Sequence, residues 1–126
     1  MEDLRAFARE VDLLEQIQAE LAAVATRNDD QRRYDLIELR RKLAAQIARV
    51  GQLAEPLMAD RADPDALQIY RTKFSRMRSA AAMHQANWPA VALGERDSEY
   101  RASALEVREA NREFVAWMRA AIAQFS

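Results

Sequence analysis

From Leu67 to Trp88 the apolar positions recur at alternating intervals of three and four: Leu67, Tyr70, Phe74, Met77, Ala81, His84 and Trp88. That spacing keeps all seven on one side of an α-helix, as a seam that must pack against other helices. The same period runs through the rest of the chain. Leu4, Phe7, Val11, Leu14, Leu21 and Val24 form a stripe over about Glu2 to Thr26, widened by Ile17. Tyr34, Leu36, Ile37, Leu39, Leu43, Ile47, Val50, Leu53 and Leu57 form a second, and Tyr100, Ala104, Val107, Asn111, Phe114, Met118, Ala121 and Phe125 a last one, flanked by Leu105, Val115, Trp117 and Ile122. No stretch shows strand-like alternation with turn signals.

The polar positions between and within these stripes predict boundaries. Asn28 is placed to cap the second helix, with Gln31 three residues later completing a capping box. Gly51 and Pro56 interrupt that helix late, and the bond that Pro56 cannot make predicts a kink or an end between Gln52 and Pro56. Asp63-Pro64-Asp65 marks the start of a third helix: a cap, a proline at the first helical position and an acid in the first turn. That helix should weaken near Asn87, because Trp88 precedes Pro89. Pro89 to Gly94 is a short apolar link, after which Asp97 or Ser98 caps the last helix. Glu38 and Lys42 are spaced for a surface ion pair. Gln18 and Asn111 stand on stripes where apolar residues are expected; for Gln18 the expectation is a place at the stripe's edge, its amide in water.

The chain of 126 residues fits a single domain, 1–126. The expected architecture is all-α: an elongated, antiparallel up-and-down bundle of three to four long helices, the first two forming a long hairpin. Leu13, Ile37, Leu53, Leu93 and Leu105 lie outside the narrow seams. They require a fourth helix, a second copy of the chain or a client to cover them, so a homodimer stays open.

Composition narrows the function. Charged residues make up 31% of the chain, yet the net charge is −1, without the basic excess of a nucleic-acid binder. No run approaches the ~20 apolar residues of a membrane span. The acidic start, Met1-Glu2-Asp3, has no apolar signal core, and the cytoplasm is the expected location. With no cysteine, thiolate chemistry is excluded. With one histidine and two glycines, neither a Glu-x-x-His di-metal site nor a phosphate-cradling loop can be assembled. The expectation is a non-enzymatic protein with no cofactor and no metal.

The residues left to explain are few. His84 sits on the seam between Ala81 and Trp88, as a packed structural histidine would; the alternative is the phosphoacceptor of a histidine phosphotransfer bundle, although the lysine and small-residue run that follows such histidines is missing. Arg71, Lys73, Arg76 and Arg78, and separately Arg40-Arg41-Lys42, read as solvated helix faces rather than RNA-binding patches. Trp88 and Trp117 read as core groups near helix ends. If an apolar groove binds a partner helix, the candidates are Phe74 and Met77 on the third helix and Tyr100, Val107, Phe114 and Trp117 on the fourth, residues that equally suit a core.

The first half also carries a pattern of wider meaning. Leu13-Leu14-Glu15, the polar break at Asn28-Asp29-Asp30, then Leu36, Leu39, Arg41-Lys42-Leu43 and Ile47 resemble the helical hairpin of flagellar type III export chaperones of the FlgN and FliT kind, over about residues 7–57. The second half, including His84-Gln85-Ala86-Asn87-Trp88-Pro89, has no counterpart in that pattern. The resemblance implies a cytoplasmic chaperone that shields an amphipathic helical segment of a secreted subunit in an apolar groove.

Overall fold

A computed structural model describes residues 2–89 and 97–126. Four helices account for nearly all of them: α1 (Glu2–Ala25), α2 (Arg32–Arg61), α3 (Pro64–Asn87) and α4 (Asp97–Phe125). Among the described residues there is no strand. At ~1.5 Å per residue these are rods of about 36–45 Å.

The rods close into a ring. α1 packs on α2 and α4, α3 packs on α4, and α2 and α3 touch least. Cross-helix partners run in opposite orders, so neighbours are antiparallel: Asp3 meets Arg61, Glu10 meets Gln46 and Ala25 meets Arg32. His84 likewise meets Ser103 and Arg76 meets Glu113. This is the up-and-down bundle that the stripes require.

The stripes point inward, except that Tyr34 and Ile37 of the α2 stripe are exposed. Phe7, Val11, Leu14, Leu43, Val50, Met58, Tyr70, Met77, Phe114 and Met118 are essentially inaccessible to solvent. Each such burial stabilises the fold by roughly 1.5–3 kcal/mol before entropy is counted. Tyr70, Phe74 and Phe114 pack ring on ring, with centroids 5.7–6.2 Å apart. They lie toward the α2–α3 turn, while of the buried polar groups Gln46 and Asn111 sit near the middle of the bundle and Gln18 toward the other end. A small second cluster, Val24, Leu36 and Leu39, seals the α1–α2 hairpin at that far end.

Asp63 caps α3 as its sequence context predicts. Its Oδ1 accepts from the Ala66 N–H at 2.8 Å, and Pro64 takes the first turn. Trp88, before Pro89, leaves helical angles at φ −129°, ψ 72°.

Several expectations are corrected. Of the two outcomes expected at Pro56, a kink or an end, the end is ruled out: α2 runs on to Arg61. The proline ring costs one backbone bond back to Gln52, an exposed residue, while Ala54 and Met58 on either side of the proline are fully buried. Asn28 does not cap α2; instead Asp29 closes the turn ahead of it, its Oδ1 accepting from the Gln31 N–H at 3.0 Å while the Arg27 guanidinium holds Asp29 through two bonds. Gln31 caps with no side-chain bond. Glu38 pairs with Arg41 at 3.3 Å, with no Lys42 bridge seen. Gln18 is buried, only 9% exposed, rather than at a wet edge. Residues 90–96 of the apolar link, and the side chain of Asp97 with them, lie outside the described residues.

Candidate functional site

The weakly packed α2–α3 seam opens into a groove of about 700 Å³. Its floor is the buried set Ile47, Tyr70 and Ala81, with the half-buried Phe74 ring on one side. Small residues explain the gap. Ala44, Ala48 and Gly51 succeed one another along α2 at helical spacing, facing Ser75 and Ala82 on α3. Gly51 has a specific role here, because a Cβ at that position would stand 2.6 Å from Cζ of Phe74. The missing side chain lets the ring lie against the α2 backbone. From Ala44 to Glu55 the groove is about 17 Å long, three helical turns.

The groove is rimmed by charge. Arg71 pairs with Glu55 across its turn-proximal end. Arg78 stands 5.7 Å over the Phe74 ring, within cation–π range. Arg76 pairs with Glu113 of α4. The basic run on α3 is therefore an ion-paired, solvated face, as its spacing suggests.

The opposite end of the bundle is polar. His84 Nδ1 lies 2.6 Å from Ser103 Oγ, and its ring packs on Tyr100 at 5.3 Å between centroids. Trp88 meets Tyr100 edge to face. Burial, reinforced by the nearby Arg40 charge, pushes the His84 pKa down to about 4, so the ring is neutral at pH 7. Arg40, read from sequence as part of a solvated cluster, instead turns inward and donates to Tyr100, with desolvation lowering its own pKa. Its position was visible: Leu36, Arg40, Leu43 and Ile47 share one stripe, at intervals of four, three and four. Gln46 is a further buried polar group, legible in the same way from Leu39, Leu43, Gln46 and Val50 at intervals of four, three and four; its amide donates to the Glu10 carbonyl at 2.8 Å and to the Glu10 carboxylate at 3.0 Å.

The six candidate partner-binding residues separate. Phe74 lines the groove, while Met77 and Phe114 are core at 1% and 0% exposure. Val107 and Tyr100 are also buried, at the polar end, and Trp117 packs partly buried against the core from α4. Met77, Val107 and Phe114 are buried in the bundle interior, and Tyr100, though largely buried, lines an open groove between α1 and α4 and not the α2–α3 groove. His84 is half-buried, with Nδ1 engaged and its face covered by Tyr100. A phosphoacceptor must present a ring nitrogen to a docking domain, and this arrangement does not favour that role.

Among the described residues, no helix is long and apolar enough to cross a membrane, and no three His, Asp or Glu side chains gather as metal ligands. Comparison of the chain with protein-family models, curated proteins and solved structures finds no match.

Proposed function

We propose that the chain is a non-enzymatic protein-binding module that receives an amphipathic helix of a client in the groove between α2 and α3. The observation that carries this reading is the groove itself: three turns long, apolar on its floor and walled by Ala44, Ala48 and Gly51. Small walls let a fourth-party helix approach closely, and its apolar stripe would be buried on Ile47, Tyr70 and Phe74. Such burial contributes ~25 cal/mol per Å² gross, before ordering costs. In its narrowest form the module is a cytoplasmic export chaperone of the flagellar type, its client a helical segment of a secreted subunit. The support for that form is the resemblance of the α1–α2 hairpin.

The test is affinity capture from the native cell with the wild-type chain, Ala48→Trp and Met83→Trp. Ala48 and Met83 are both exposed, and only Ala48 lines the groove. A client with an amphipathic helix should be retained by the wild type and Met83→Trp and lost from Ala48→Trp. The same proteins on all three baits, or none, would contradict the reading. Light scattering separates a second copy of this chain, the competing occupant, from a client.

A further inference from the structure

A second site lies at the polar end of the bundle, independent of the groove. There, where α1 and α3 finish and α2 and α4 begin, a partly open cavity of about 50 Å³ is lined by residues of all four helices. One water needs roughly 10–15 Å³ of such space, so this one suits a group of a few heavy atoms. Gln18 of α1 and Arg40 of α2 both line it. Gln18 Nε2 and Arg40 Nη2 are buried N–H donors with no acceptor. A buried donor left unsatisfied forfeits its hydration without return, and two beside one cavity call for an acceptor inside it.

The charge around the cavity says which acceptor. Arg40 and Arg108 line it, and its described lining residues include no Asp or Glu. His84, also in the lining, is neutral at pH 7, and its Nδ1 is occupied by Ser103. One half-buried guanidinium is thus the inner cation, matched to a single negative charge. A planar guanidinium also fits the two oxygens of a carboxylate. Beside the cavity an open groove of about 670 Å³ between α1 and α4 shares Ala22, Ala25, Tyr100, Ala104 and Arg108 with it, adds the exposed Leu105, and is rimmed by Arg27, Arg32 and Arg101.

We propose that this cavity holds the carboxylate of a small organic anion, bound by Arg40 and the Gln18 amide, with the anion's short apolar tail in the α1–α4 groove beside Leu105.

The experiment titrates the full-length labelled chain with sodium butyrate, inorganic phosphate and butylammonium chloride, followed by the NMR signals of the single histidine ring and the Gln18 side-chain amide. Butyrate is expected to shift both saturably. Arg40→Met, which replaces the cation with a flexible apolar chain of similar length, should weaken binding about tenfold or more, and Gln18→Leu should weaken it in the same direction. If Arg40→Met does not fold, Gln18→Leu carries the comparison. The proposal is overturned by no saturable shift at about 50 mM butyrate, by unchanged affinity in the folded variants, or by equal binding of butylammonium. Phosphate binding without butyrate binding overturns the carboxylate assignment.

Discussion

Lowering the pH tests the polar end of the bundle through one residue. His84 is the only histidine, so its titration can be followed alone. Its folded-state pKa is pushed from 6.5 down to about 4 by burial and by Arg40. At pH 7 the ring is neutral in both folded and unfolded chains, and the difference contributes nothing. As the pH falls through 6.5 the unfolded chain takes up a proton that the folded chain refuses. Stability is therefore lost between about pH 6.5 and 4, at up to 1.4 kcal/mol per pH unit. Integrated from pH 7 to 4.5 this approaches about 2.6 kcal/mol; partial exposure of the ring reduces it to roughly 2 kcal/mol. Urea unfolding followed by circular dichroism, at pH 7, 6, 5 and 4.5, should show the wild type losing that much more than His84→Gln, while the shared carboxylates cancel. Parallel pH profiles for the two proteins, or a ring titration near 6.5 in the folded chain, would refute the packing described around His84.

Other perturbations have separate causes. Phe114→Ala removes a fully buried ring that touches both Tyr70 and Phe74, and should cost about 3–5 kcal/mol in chemical denaturation, with the largest change of any single truncation in the aromatic cluster. Asp63→Ala deletes the side-chain acceptor at the start of α3 and should cost about 1 kcal/mol by the same measurement, with Asp63→Asn largely restoring it. Arg119 bridges α4 to Asp12 and Glu15 of α1 on the exposed surface, so Arg119→Ala should cost less than about 1 kcal/mol and the loss should shrink further in high salt.

The helices were legible because their cause is local. Stripes at intervals of three and four, the Asp63-Pro64 start and the stop before Pro89 are each written in adjacent residues, and all appear in the structure. Pro56 does not end α2, because its cost is local while the compensation is not: Met58 and Ala54 hold α2 in place through burial against other helices. Asn28 was placed to cap α2, but Arg27 holds Asp29 from two positions away and Asp29 closes the turn, so the helix starts after Gln31 with no side-chain cap. The partner-binding residues were harder. A helical seam shows that a residue is apolar but not whether its neighbour helix comes close, so Phe74 and Met77 read alike although one lines a groove and the other is core. The signal for the groove lay in what was small: Ala44, Ala48 and Gly51 on one face of α2. The inward turn of Arg40 was legible too, since it falls between Leu36 and Leu43 on the buried stripe, but the adjacent Arg41-Lys42 made it look like part of a surface cluster.

The claim that the α2–α3 groove receives a client helix is tested most directly by where contact occurs. A photo-crosslinking residue placed at Ala48, in the groove, and separately at Met83, outside it, would be activated in the native cell, and the crosslinked peptides sequenced. The account predicts one dominant product from Ala48, joined to the apolar face of an amphipathic helix in another protein, with no corresponding product from Met83. Crosslinks that are equally abundant at both positions, or a product from Ala48 joined to a segment with no apolar helical face, would contradict it.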